Sequence, residues 1–387
     1  MEKYRKYGDA ATGINPFVLM RTPTTFSVVV AAVLFPLRLA GALLFLLALV
    51  VLDLAAYFFF LIPGMSCVSW CLLAPCQREL LRCLLFALGN IGITRASPRA
   101  TAVANAAGGD ATPVAGDVVV VNMQSVWDMC VLEVAGRLPL CVVAFYIGGA
   151  AGANSGGDAN KKKTDHDSRH DTLLVMEPSP FQRWRVWWHI YHTGSLEFLR
   201  AAAGGDCGDD KSNTEPVLHL AALQQRCERI GVPIVLFAEG SCTNGKGMLR
   251  TSPLWVRTTP RRVFVCAVDY DTTAVHTVLR PHRLLSFIFL MSASLHGSRD
   301  PAWYSPPFPT ATVRMVTLLE SSLSSNSILA TKTTAGDGAA VMWEEAKVRQ
   351  ALCAASKSRR VLAVGLHEKC GYAEACVGVK AGSVFNW

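Results

Sequence analysis

The chain is short of charge. Asp, Glu, Lys and Arg make up 17% of its 387 residues, where about a quarter is usual for a soluble domain. With 51% hydrophobic residues and a mean hydropathy of +0.31, it is too apolar for an average soluble domain and too polar for a polytopic channel. It has no basic block: the net charge of +8 is spread along the chain. Spread positive charge favours an anionic membrane surface or phosphate-bearing substrates over nucleic acid, and no nucleic-acid motif occurs. The 13 cysteines include no CxxC pair matched by a second. Cys130, Cys141 and Cys266 sit in apolar runs and read as reduced, buried thiols on the cytosolic side, not as a disulfide framework. An internal repeat is also lacking. The first apolar stretch does not read as a cleavable signal peptide, because it is too long and starts too late.

That stretch, Phe26 to Ile62, is nearly all apolar and is broken by Pro36, Arg38 and Asp53. It far exceeds the roughly 20 residues that one spanning helix needs. Two helical arms with a break near Pro36–Arg38 or a little beyond are expected, as a re-entrant hairpin dipping into one leaflet. The alternative is a single tilted span beside a short amphipathic helix. Lys3, Arg5, Lys6 and Arg21 precede the stretch, and Arg78 and Arg82 follow it. A hairpin would keep both basic flanks cytosolic.

Cys76 to Leu88 has helical periodicity and predicts a helix that lies on the membrane surface or caps the following domain. Asp117–Val121, Leu138–Ile147, Val232–Phe237, Val263–Val268 and Thr312–Leu318 read as strands. Helices are expected from Val126 and over Pro216–Arg229. Strands alternating with helices predict an α/β fold with a mixed sheet flanked by helices. Polar, small-residue segments at 148–171 and 204–214 read as solvated insertions. His166 and His170 in the first would hold a metal only as an alternative to a polar loop. Phe181–Tyr191 carries Trp184, Trp187 and Trp188 between arginines. These suit either an interfacial anchor or the packed face of a helix. The expected organisation is a cytosolic segment (1–25), a membrane anchor (26–63), an α/β domain (64–320) and a helical C-terminal tail (321–387).

The most informative residues are Glu239-Gly240-Ser241-Cys242-Thr243-Asn244, directly after the apolar run that ends at Phe237. Small residues there let backbone N–H groups approach an anion, and Lys246 and Arg250 supply charge. Phe237–Asn244 resembles the "FPEGT" motif of the glycerolipid acyltransferases, most closely the branch of the lysophosphatidylcholine acyltransferases and ancient ubiquitous protein. The motif order is similar too. The family's earlier "NHxSxxD" element falls on Asn122-Met123-Gln124-Ser125-Val126-Trp127-Asp128. Arg200 stands where the family has an "FxxR"-like arginine. Arg262–Val268 occupies the place of its fourth segment but lacks both prolines. Pro36-Leu37-Arg38-Leu39 and Arg359–Leu366 resemble the anchor and tail of the same branch. The likeness covers residues 16–365.

The resemblance implies acyl-CoA-dependent acylation of a lysophospholipid or lysophosphatidic acid. The expected place is the cytosolic face of the endoplasmic reticulum or a lipid droplet. Arg200, Glu239, Gly240, Ser241 and Lys246 would hold the acceptor, Ser125 would lie by the thioester, and Asp128 would organise the base. No metal or bound cofactor is implied, since acyl-CoA is a co-substrate. One departure matters: the family's histidine, its general base, is Met123 here. A thioether has no proton to exchange, and losing a general base costs roughly 10²–10⁴-fold. Asp128 is a replacement base or a helix cap. His189 and His192 are further candidates by type. Ser125 could itself take the acyl group, with no activating base visible. Cys130 and Cys242 are nucleophiles by type or packing residues. The second functional reading is therefore a catalytically inactive member of the fold that binds lipid surfaces as an adaptor or scaffold.

Overall fold

The computed structural model describes residues 2–18, 25–62, 72–89, 92–96, 112–136, 138, 141–146, 173–176, 181–193, 220–251, 254–257, 262–271, 277, 288–289, 310–318, 340–343, 345–356, 359–365, 368–369, 371–372 and 375. Arg200, His166, His170 and both polar insertions lie outside the described residues.

Six α-helices are described: α1 (Thr25–Leu61), α2 (Ala74–Gly89), α3 (Asp128–Gly136), α4 (Gln182–Thr193), α5 (Leu220–Ile230) and α6 (Glu345–Ala355). The strands are β1 (Gly92–Arg95), β2 (Val118–Val121), β3 (Val142–Tyr146), β4 (Leu173–Met176), β5 (Ile234–Phe237), β6 (Gly247–Met248), β7 (Leu254–Arg257), β8 (Val263–Tyr270), β9 (Thr310–Leu318), β10 (Ala340–Trp343) and β11 (Arg360–Val361). Seven of them form one mixed sheet in the order β1-β9-β8-β2-β5-β3-β4. Its centre, β8-β2-β5-β3, is parallel; β4 and β9 join antiparallel to β3 and β8. The chain is thus α/β with a mixed sheet. The central strands are near-continuous Val/Ile/Leu because helices cover both faces. Val119 and Val121 enter one core with α2 and α3, while Val118 and Val120 enter a second with α5 and α6.

The expected break at Pro36 is not there. α1 runs unbroken through Pro36 for 37 residues, about 55 Å at 1.5 Å per residue. Proline removes one N–H and crowds one carbonyl, which bends a helix but does not end it when neighbouring residues continue the pattern. Within α1, Ala31–Phe59 is long and apolar enough to cross a membrane, with a mean hydropathy of 2.6. One stripe of the helix, Ala42, Phe45, Leu46 and Leu49, packs into the domain core with Leu81, Leu84, Leu85 and Leu88 of α2. Of the two places expected for the 76–88 helix, this one caps the domain. Rings of α1 meet the domain near both helix ends, Phe35 on Phe289 and Tyr57 on Phe181. The opposite side, including Val33, Leu37, Leu44, Leu47 and Phe58, stays exposed.

A buried charged cluster ties α1 to the domain. Arg183 of α4 donates through Nη1 to both Asp53 oxygens, at 2.8 and 2.9 Å. It also donates from Nε and Nη2 to Glu133 of α3. Trp184 Nε1 (2.7 Å) and Gln77 Nε2 (2.8 Å) complete the shell of Asp53. Trp187 stacks on Trp127 at 5.8 Å, and Trp188 is exposed. Two of the three tryptophans therefore pack, and one faces outward.

Candidate functional site

β2 and β5 are parallel neighbours with Val121 level with Phe237, so the two sequence motifs leave adjacent strand ends on the same side. In open α/β sheets that edge is where ligands bind. The loops are joined by specific bonds. Asn122 acts as an extra strand rung toward β8: its Oδ1 accepts from Val268 N (2.7 Å) and its Nδ2 donates to Val268 O (3.1 Å). Glu239, fully buried, accepts from Met123 N through Oε2 (2.8 Å) and from Leu249 N through Oε1 (2.9 Å). Arg359 Nη1 lies 3.6 Å from Glu239 Oε2. Burial pushes the Glu239 carboxyl upward, opposed by Arg359 and the two N–H donors.

Ser125-Val126-Trp127-Asp128 forms a capping box at the start of α3. Ser125 Oγ accepts from Trp127 N (3.3 Å), and Asp128 Oδ2 accepts from Ser125 N (3.0 Å) and Gln124 N (2.7 Å). The cap reading of Asp128 is thus observed for one oxygen. The other, Oδ1, is buried without a hydrogen-bond partner. Tyr270 stands beside Asp128 and Ser125, and its hydroxyl is a side-chain group that acts on the Asp128 carboxyl. Burial pushes the Asp128 carboxyl up to about 7, against the pull of the Ser125 and Gln124 N–H groups, Tyr270 and Arg359. A carboxyl titrating near neutrality with one uncommitted oxygen has the properties of a general base.

The other expected site residues fall as follows. The Met123 side chain is buried in the apolar core. Gly240 has φ +61°, which a side-chain-bearing residue rarely adopts. Ser241 is buried and accepts from Lys369 Nζ, which also donates to Cys242 O at 2.8 Å. Lys246 is exposed. Asn244 does not face a ligand: its Nδ2 donates to Asn15 O and Val18 O, and its N–H to Pro16 O. The N-terminal segment, with Phe17 packed on Leu249, Leu362 and Val364, is therefore part of the domain. Cys130 and Cys242 are free and buried, and burial pushes both thiols up to about 12. They are poor thiolate nucleophiles at neutral pH. His189 and His192 belong to α4, with side chains outside the described residues. Among the described residues, no cluster of three His, Cys, Asp or Glu could hold a metal ion.

Three more residues stand at these loops: Tyr270 and Lys369, to which no motif pointed, and Arg359, which opens the Arg359–Leu366 segment. Tyr270 carried a faint signal, lying at the end of an apolar strand. Gly245 packs closely on the Gln124 loop. Its φ is +75°, and a Cβ there would run into the Gln124 side-chain amide. Gly245→Ala should destabilise the protein by at least about 1–2 kcal/mol from backbone conformation alone, read as a lowered midpoint in thermal unfolding.

No family model, curated protein or solved structure matches the chain.

Proposed function

We propose that this protein is a membrane-associated acyltransferase that moves an acyl chain from acyl-CoA to a lysophospholipid or lysophosphatidic acid, with Asp128 as its general base. The carrying observation is Asp128 itself: a buried carboxyl pushed up to about 7, with Oδ1 uncommitted, on a loop bonded to Glu239. Asp128 Oδ1 would take the proton of the acceptor hydroxyl as its oxygen attacks the thioester carbon. The thiolate of CoA leaves and is then protonated. No metal or bound cofactor enters this scheme. Ser125 would sit beside the thioester. Gly240, Ser241, Lys246 and Arg200 would hold the phosphate or glycerol part of the acceptor. The exposed apolar side of α1 suits insertion into one leaflet, at the cytosolic face of the endoplasmic reticulum or on a lipid droplet, with an acyltransferase-like fold at the surface.

A second reading has one observation in its favour. Met123, Ser125, Asp128, Glu239 and Ser241 are all at most 1% exposed, so substrate reaches none of them without movement of the covering segments. A protein that kept this fold to bind lipid surfaces as an adaptor would need no such access.

The experiment is acyl transfer by the full chain in lipid nanodiscs, from labelled acyl-CoA to a panel of lysophospholipids, with Met123→His in parallel. Transfer by the wild type is the expected result, and Met123→His tests whether an imidazole at that position adds to it. No transfer by the wild type, with gain in Met123→His, would establish the adaptor reading on an intact pocket.

A further inference from the structure

Two cations from the last part of the chain reach the loops that carry the site. Arg359 lies shortly after the end of α6, and its side chain is 1% exposed. Its planar fork touches three separate elements: Nη2 donates to Gln124 Oε1 (2.5 Å) and to Val268 O (2.8 Å), Nε donates to Asp269 Oδ1 (3.2 Å), and Nη1 faces Glu239. Asp269 is itself held by Arg314 Nη1 (2.8 Å) and Ser356 Oγ (2.5 Å). Ten residues further on, Lys369, 3% exposed, donates to Ser241 Oγ and Cys242 O. The segment between them is fixed to the second loop. β11 pairs with β6, and Arg349 donates to Met248 O and Leu362 O.

We propose that Arg359 and Lys369 are positioning residues of the site: Arg359 fixes the Gln124–Asp128 loop against Glu239, and Lys369 fixes Ser241. The proposal rests on the acyltransferase reading for its kinetic test. Desolvating a cation is costly unless its partners are close and well aimed. Both side chains spend that cost at the two ligand-side loops. A lysine in place of Arg359 keeps the charge but not the three-way fork. The charged and titratable groups that act electrostatically on Asp128 include Tyr270 and Cys266 of β8, Cys130 of its own helix, Cys242 and Arg359. Of these, Arg359 is the one positive charge among the described residues, and it favours the carboxylate.

The test compares wild type with Arg359→Lys, Arg359→Met, Lys369→Arg and Lys369→Met in nanodiscs, by kcat, KM, a pH–rate profile and amide hydrogen exchange over 122–128 and 239–249. Expected is a fall in kcat of about tenfold or more in Arg359→Lys and Lys369→Met, since small misplacements cost this much. KM for acyl-CoA stays within about twofold. Arg359→Met also moves the acid limb of the profile to higher pH, and Arg359→Lys does not. If Arg359→Met fails to fold, Arg359→Lys carries the comparison. Folded variants with unchanged kcat and an unmoved acid limb would overturn the proposal. If wild type transfers no acyl group at all, the functional reading fails by itself. Positioning then stands or falls on whether exchange over 122–128 and 239–249 quickens in Arg359→Lys and Lys369→Arg while the other strands stay protected.

Discussion

Asp128→Asn is expected to cut acyl transfer by about 10²–10⁴-fold while making the protein more stable above neutral pH. Both effects come from the same burial. An asparagine oxygen still accepts from Ser125 N and Gln124 N, so the capping box persists, and the amide presents a donor toward the Tyr270 hydroxyl. What goes is the capacity to take a proton. In the folded protein the carboxyl sits at about 7 against an ordinary 3.8. Its native pKa is raised, so its stabilising proton is fully present below about pH 4 and is lost as pH climbs toward 7. Those three or so units correspond to at most about 4 kcal/mol. Wild type should therefore weaken between about pH 4 and 7 and then level off. The asparagine variant should not, and the two should converge at low pH. Urea denaturation at pH 5 and pH 8 reads the difference. The wild-type rate should rise with pH through about 7 as Asp128 ionises. A variant that keeps full activity would remove Asp128 from the chemistry and leave it a helix cap.

Arg183→Met should destabilise the protein by about 3–5 kcal/mol. The substitution strands two buried carboxylates, Asp53 of α1 and Glu133 of α3, and Trp184 Nε1 and Gln77 Nε2 cannot neutralise them. The loss should spread beyond the local site, because the cluster joins the apolar helix to the helix that begins with Asp128. Chemical denaturation in detergent micelles measures it. Replacing Asp53, Glu133 and Arg183 together by apolar residues of similar volume should recover most of the stability, since a filled apolar site costs less than an unpaired charge. If the single variant loses under about 1 kcal/mol, water reaches the cluster and the link to α1 is weak.

How much of this was legible in the residues depends on the range of the interaction. β2, β5, β8 and β9 follow from short β-branched runs, and α5 from helical periodicity, with ends within a few residues of expectation. Those signals are local. β4 and β10 lack the β-branched run that marks β2 and β5, and β10 is held by pairing with β7. The course of α1 was misjudged at Pro36 because a proline's effect depends on what packs around it. In the site, the two segments 122–128 and 239–244 were legible, and they do meet. The partners were not: Arg200 lies outside the described residues, and the cations seen at the loops, Arg359 and Lys369, come from what read as a tail.

The sequence alone determined the apolar helix, the alternating α/β pattern and the two loops that follow β2 and β5, because each depends on residues within a turn or a strand length of one another. Only the tertiary structure decided what surrounds those loops. Whether Asp128 is solvated or buried, whether Glu239 faces a ligand or two backbone N–H groups, and which cation lies beside it are set by residues more than a hundred positions apart. Burial converts those separations into electrostatics, since a carboxyl shifts its affinity for a proton only when distant segments close over it and exclude water.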